Sequence, residues 1–303
     1  MSAWPELPRD WAYATLHMWM QMAGKIALAQ APPLNHCWSV SLRITPRGLI
    51  TRTLPHGDRT FTLEFDFLSH ELVITVSDGA RRTLALAPRS VADFYRELMS
   101  ALAAMQLPVR IWSMPVEVPN PIRFEADTVH ASYDPDAAHR FWRVLVDCER
   151  VFLDARCHFI GKASPVHFFW GSFDLAVSRF SGRPAPPRDG PAFMRESYSH
   201  EVISHGFWPG GGDGTAFGRG AINEPVFYGY CVPPPPGFDT MAVQPPAASY
   251  NRDFGEFVLP YSAVLAAEDS DATLRAFIES TYAGAATLGH WDRAALERAP
   301  IAR

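Results

Sequence analysis

The chain of 303 residues is long enough for one large domain or two of ordinary size, and its 48% apolar and 19% charged residues exclude general disorder. A net charge of −5, with no Lys/Arg run longer than two residues, leaves no electrostatic footprint for nucleic acid. Aromatic residues reach 13%, a density that makes either a thick core or an apolar pocket with polar tips.

In chain order, Asp10 is placed to cap a first helix, with Leu16, Met20 and Ala23 at helical spacing, ending before Pro32-Pro33. Trp38, Val40, Leu42 and Ile44 alternate with polar residues and predict a half-buried strand. Turns at Arg47-Gly48 and at Pro55 to Asp58 lead to a strand whose inward face is Phe61, Leu63, Phe65 and Phe67. Leu72, Ile74 and Val76 mark the next, and Leu84 and Leu86 a shorter one. Ser90 caps a helix with Phe94, Leu98, Leu102 and Met105 on its face. A strand is predicted over Val109 to Val118, and Pro119 to Asp134 reads as a connection.

Asp134-Pro135 is a strong helix start, an N-cap followed by proline at the first helical position. Its apolar stripe runs through Phe141, Leu145, Cys148 and Phe152 to about Phe159. The aromatic-rich stretch Pro165 to Arg183 then reads as one strand, followed by strands over Ser199 to Phe207, Pro225 to Val232 and Gly255 to Val264. Ser270 opens a last helix faced by Leu274, Phe277, Thr281 and Ala285.

The expected fold is therefore α+β. It has two similar halves, each a helix, about four antiparallel strands and a helix, related by a pseudo-twofold with helices packed on curved sheets. The boundaries are 1–118 for the first half, 119–133 for the connection and 134–303 for the second. Gly24-Lys25 and Gly161-Lys162 end corresponding helices, and His36 precedes Trp38 as His167 precedes Trp170, which suggests an internal duplication.

Cys37, Cys148, Cys157 and Cys231 form no CxxC pair and no disulfide framework, and Cys148 and Cys157 are expected to be buried, inert thiols. The first residues lack a basic and then apolar leader, and no apolar run is long enough to span a bilayer. A cytoplasmic location is expected, and the near absence of lysine is the composition of a GC-rich bacterial genome.

The strands of the first half alternate as a one-sided sheet should, whereas those of the second carry polar and aromatic residues among apolar neighbours. Sequences break local rules at sites, so the second half is expected to line a pocket. Glu201, Glu224 and Glu256 stand on aromatic-rich strands, where a desolvated carboxylate becomes a candidate acid or base. Tyr228 and Tyr230 are read as sharing a strand face with Glu224, and together with Trp170, Trp208, Arg179 and Glu256 they are candidate ligand contacts. His200 and His205 are five apart and cannot form the helical zinc-protease motif; in a strand they point to opposite sides. His200, His167 and His36 remain candidate ligands for a divalent metal, with an ordinary hydrogen-bonded core as the competing reading. Pro209 to Gly220 is glycine-dense without the ending of a phosphate loop and fits a lid or a long hairpin connection. The Pro233 to Gly237 stretch is expected to be an extended arm.

The blocks TLHMWMQMAGKIALAQAPPLNH, RSVADFYRELMSAL, ASYDPDAAHRFWRV, SPVHFFWGSFDLAVSRFSGR and YSHEVISHGFWPGGG resemble a bacterial family of about this length that is known only as a domain of unknown function. The similarity spans nearly the whole chain. It implies a single stand-alone cytoplasmic unit and assigns no activity, cofactor or catalytic residue.

The functional expectation is an enzyme acting on a small organic molecule in an aromatic-lined pocket. Glu201 or Glu224 would be the acid/base, and His167 and His200 would carry protons or hold a metal. A non-catalytic small-ligand-binding protein is the alternative, and a structural subunit with an aromatic core is a third. Neither nucleic acid nor membrane is an expected partner, and a homo-oligomer is compatible with the sequence.

Overall fold

The computed structural model describes residues 4–8, 11, 13–210 and 222–298. Asp10, the expected helix cap, and most of the glycine-dense loop lie outside the described residues. The fold is α+β, with two similar halves that each carry a six-stranded antiparallel sheet and helices. The chain divides into two compact units. The first holds Pro5–Val144 and Phe168–Phe173; the second holds Met1–Trp4, Leu145–His167 and Asp174–Arg303.

In the first unit, α1 (Ala14–Gln30) is buried on every side from Thr15 to Ala27, as expected of a central helix. It stops at Ala31, which is extended because it precedes a proline. The sheet comprises β1 (Arg43–Ile44), β2 (Gly48–Ile50), β3 (Leu54–His56), β4 (Arg59–Asp66), β5 (Glu71–Val76) and β6 (Arg81–Ala85), in the order β1-β2-β4-β5-β6. β2 and β3 both pair with β4, one with each end, and Thr51 joins them. Its amide donates to Leu63 and its hydroxyl accepts from the Leu63 amide at 3.1 Å. Phe61, Leu63 and Phe65 turn inward by the period of two and are fully buried. Helix α2 (Val91–Ala104) begins where Ser90 accepts from the Asp93 amide, and its Phe94 stacks on Trp19 of α1 at 4.5 Å.

One expected strand of this unit is shortened and another is absent among the described residues. His36 and Cys37 adopt left-handed φ of 58° and 54°, so the chain turns there and joins the sheet only at Arg43. Over Val109 to Val118 no ladder forms, because Gln21 takes the place of a neighbouring strand. Its amide accepts from Val116 N–H at 2.9 Å and donates to Val116 C=O at 2.7 Å. Both segments alternate apolar and polar, but the first meets a strand only from Leu42, which bridges Phe168 of the segment His167–Phe169, and the second finds its partner in a side chain.

Helix α3 (Pro135–Cys157) starts at Asp134, whose carboxylate accepts from the Ala137 amide at 3.0 Å, and it carries the chain from the first unit into the second. The stretch read as one strand is a hairpin. β7 (His167–Phe169) and β8 (Asp174–Pro184) flank a tight turn in which Phe173 has φ of 61°. Phe173 is fully buried in the first unit, stacked at 5.2 Å on Phe141, which explains why six residues of the hairpin belong there.

The second unit continues with α4 (Ala192–Ser197), β9 (His200–Trp208), β10 (Val226–Val232), β11 (Ser249–Asn251), β12 (Glu256–Pro260), α5 (Tyr261–Leu265), α6 (Ser270–Leu288) and α7 (Arg293–Leu296). Its sheet runs β11-β12-β10-β9-β8-β7. The strand expected through Val264 ends at Pro260 and gives way to α5, and α6 is capped by Asp269, one residue before the expected Ser270. The proline stretch bends back, since Phe238 bonds to Pro235 and is buried against Phe257 at 5.2 Å. No helix of the described residues is long and apolar enough to cross a membrane.

Candidate functional site

The sheet of the second unit has two faces of different chemistry. Leu175, Val177, Ile203, Phe207, Phe227 and Leu259 lie buried in the core with α6. Two polar side chains share that face. His205 donates from Nε2 to Thr281 Oγ at 2.7 Å, since the threonine's only proton goes to the Phe277 carbonyl. Burial, and next the charge of Arg179, hold His205 well below the usual histidine range and therefore neutral. Arg179 is 3% exposed, and its guanidinium lies 4.4 Å over the Tyr282 ring.

The other face carries the polar cluster. Tyr228 and Tyr230 alternate on β10, opposite Gly206 and Ser204 of β9, which in turn face Ala176 and Ser178 of β8. Small residues beside large ones let the tyrosines lie down across the sheet. A Cβ on Gly206 would run into the Tyr228 ring and hydroxyl, so only glycine admits that ring. Lying flat, Tyr228 reaches β8 and donates its phenolic hydrogen to Asp174. Tyr230 stacks on it at 6.1 Å, and its hydroxyl pairs with that of Tyr198 at 3.1 Å. The Arg188 guanidinium covers the Tyr198 ring at 4.7 Å, and the Ser178 and Ser204 hydroxyls meet at 2.9 Å. Burial pushes Tyr228 and Tyr230 well above the ordinary phenol range; the Asp174 charge adds to it at Tyr228 and the Tyr198 phenol at Tyr230. Both phenols stay protonated at neutral pH, and the hydrogen bond from Tyr228 to Asp174 is a charge-assisted one. Glu256 stands half-buried at the start of β12, two residues before Val258, which pairs with Tyr228.

The remaining residues singled out from the sequence lie elsewhere. Glu201 is held by Arg183 at 2.6 Å and by the Ser181 hydroxyl at 2.8 Å. Glu224 is exposed ahead of β10 and contacts Ser262 at 3.3 Å. His200 is exposed at the start of β9, His167 is buried at the start of β7, and Trp208 is half-buried at the end of β9. Trp170 and His36 belong to the first unit. The Trp170 indole donates to the Val40 carbonyl at 3.0 Å and lies against Gly24, and His36 stacks near Trp38 at 6.0 Å.

Helix α1 holds that Trp170 turn through a polar stripe of its own. His17 Nε2 donates to the carbonyls of Trp170 and Gly171 at 2.9 and 3.0 Å. One helical turn on is Gln21, and a turn beyond that is Lys25, 4% exposed. The Lys25 ammonium lies 4.8 Å over the Trp112 ring and 5.9 Å from that of Trp170. Burial lowers Lys25 to about 8 and His17 to about 4.

One group of three metal-donor side chains occurs among the described residues: Asp154, Cys157 and His158, at the end of α3. None of the histidines read from the sequence as ligands is in it. A surface groove of about 510 Å³ runs past Tyr95, Arg96, Met99, Arg110 and Glu125 and a smaller one past Thr53, Thr62 and Ser77, and neither is lined by a residue expected from the sequence to form the site.

Sequence reasoning counted Asp174 among the polar residues of the second half but gave it no role, passed over Tyr198, Asp154 and His158, and expected Cys157 to be buried, whereas it is half-buried. The small residues at 176, 178, 204 and 206 on neighbouring strands were the available signal for a sheet face that accommodates flat-lying tyrosines.

A model of the family of unknown function DUF5996 matches residues 4–298. The chain belongs to that family. No curated protein and no solved structure matches it. Membership of DUF5996 brings no catalytic or binding residue with it, so the chemistry of the site rests on the side chains themselves.

Proposed function

We propose that this DUF5996 member is an enzyme that acts on a small organic molecule at the tyrosine face of the second unit, with Asp174 as the base and Tyr228 as its relay. The observation that carries this reading is the hydrogen bond from Tyr228 to Asp174 on a polar sheet face. Because the phenol already donates to the carboxylate, its oxygen is left as an acceptor. A substrate hydroxyl docked there gives its proton to the Tyr228 oxygen while the phenolic proton passes to Asp174. One proton of the Tyr198–Tyr230 hydroxyl pair bridges the two oxygens, so the product alkoxide or enolate takes one hydrogen bond from the pair. Glu256 lies along the same face as a second carboxylate, and the rings offer stacking surface.

This moves the expected acid/base from Glu201, which Arg183 neutralises, and from exposed Glu224. The chain is read further as a bacterial, cytoplasmic protein with an internal duplication. A small molecule is its partner, nucleic acid and membrane are not, and self-association is compatible with it. The lack of basic runs supports the exclusion of nucleic acid.

The test is to incubate the full chain with a bacterial metabolite extract and follow every small molecule by mass spectrometry. At least one compound should be consumed by the parent protein and spared by Asp174→Asn, with both proteins equally folded by melting temperature. Equal consumption by the two would remove Asp174 from the chemistry. A compound that the parent retains on gel filtration without consuming it would favour the non-catalytic binding protein.

A further inference from the structure

We propose that Asp154, Cys157 and His158 form a binding site for a zinc-type divalent cation. Asp154 and Cys157 stand at i and i+3 on the last turn of α3, on one side of the helix, and His158 follows as the first residue beyond it. One donor atom from each lies within 4.8 Å of the other two, and all three residues are half-buried, so a hydrated ion can reach them. A tetrahedral ion bound at roughly 2.0–2.3 Å draws such donors together to roughly 3.5 Å, a change within the reach of small side-chain rotations.

The donor set selects the ion. Sulfur and imidazole nitrogen favour zinc, cobalt or nickel over magnesium or calcium, which take oxygen. Three protein donors leave a fourth position for water. The last carbonyls of the 23-residue helix add negative potential at the same end. Asp154 is also oriented from outside, because Arg275 of α6 holds its Oδ2 at 2.9 Å, the kind of support that metal-ligating carboxylates receive. Cys148 and Cys231 differ from Cys157 in burial: both are buried, whereas Cys157 is half-buried and within reach of an ion. On binding, the Cys157 thiol releases its proton to solvent and a sulfur–metal bond forms. Thiolate and carboxylate then cancel the charge of the ion.

The experiment is equilibrium dialysis of the full chain against Zn²⁺, with the retained metal measured by mass spectrometry. Parent protein should hold one zinc per chain at micromolar free metal, and Cys157→Ser and His158→Ala should each weaken binding by about tenfold or more. With Co²⁺ as the probe, the parent should give a thiolate-to-cobalt charge-transfer absorption that Cys157→Ser abolishes and Cys231→Ser keeps. Tyr228→Phe should keep the zinc, which separates this site from the tyrosine face. No retained zinc at about 10 μM free metal, or retention by Cys157→Ser and His158→Ala equal to the parent, would overturn the proposal.

Discussion

His17 illustrates how a single buried side chain sets a pH limit on the fold. Its Nε2 hydrogen serves two carbonyls of the Trp170–Gly171 turn, and burial lowers it from 6.5 to about 4. The folded protein therefore resists protonating a group that the unfolded chain protonates below pH 6.5. The stability that neutral His17 contributes is complete above pH 6.5 and is lost as pH falls through 4. A difference of this size corresponds to on the order of 3 kcal/mol. Denaturant unfolding of the parent and of His17→Gln at pH 7 and at pH 4 checks it: the parent should lose about 3 kcal/mol more than the variant. Equal losses would place the titration elsewhere. Lys25 behaves with the same sign at higher pH, because burial without a carboxylate favours the neutral amine. Among the described residues its contacts are the indoles of Trp112 and Trp170.

At the scale of elements, the helix signals are the most dependable. Asp134 accepts from the Ala137 amide as an Asp-Pro start requires, so Asp134→Ala should cost about 1 kcal/mol in chemical denaturation, and no change would mean that tertiary packing alone sets the start of α3. The inward faces of β4 and β5 were legible for the same reason: Phe61, Leu63 and Phe65 alternate with polar partners, and one register satisfies them.

What sequence periodicity does not carry is where backbone polar groups find their partners. Val109 to Val118 alternates like a strand, yet Gln21, some ninety residues earlier, supplies the hydrogen bonds of Val116. Pro165 to Arg183 is apolar enough to be one strand, yet a left-handed Phe173 folds it into a hairpin. The candidate site was half legible. Tyr228, Tyr230 and Glu256 stood out as polar residues on apolar strands. Asp174 stood out in the same way but was given no role, because that role depends on a tyrosine crossing a glycine of the intervening strand, a relation that no local pattern contains.

At the scale of the molecule, the same α+β plan serves different ends in the two units. The first wraps a helix buried on every side with a sheet and α2, and its polar groups are mostly turned to bracing backbone. The second packs one sheet face against α6 with His205 and Arg179 set among apolar side chains, and it places phenols, hydroxyls and carboxylates on the other. That asymmetry underlies the assignment of chemistry to the second unit, and the zinc-type site at the end of α3 lies in it as well.

The most direct measurement is fluorine NMR of protein labelled with 3-fluorotyrosine. The chain has nine tyrosines, and Tyr→Phe variants assign the signals of Tyr198, Tyr228 and Tyr230. On titration with a metabolite extract, these three signals should shift while those of Tyr95 and Tyr133 in the first unit stay in place, and Asp174→Asn should weaken the response. Signals of Tyr228 and Tyr230 that do not move, under conditions where the extract does shift other tyrosines, would contradict a substrate site on this face.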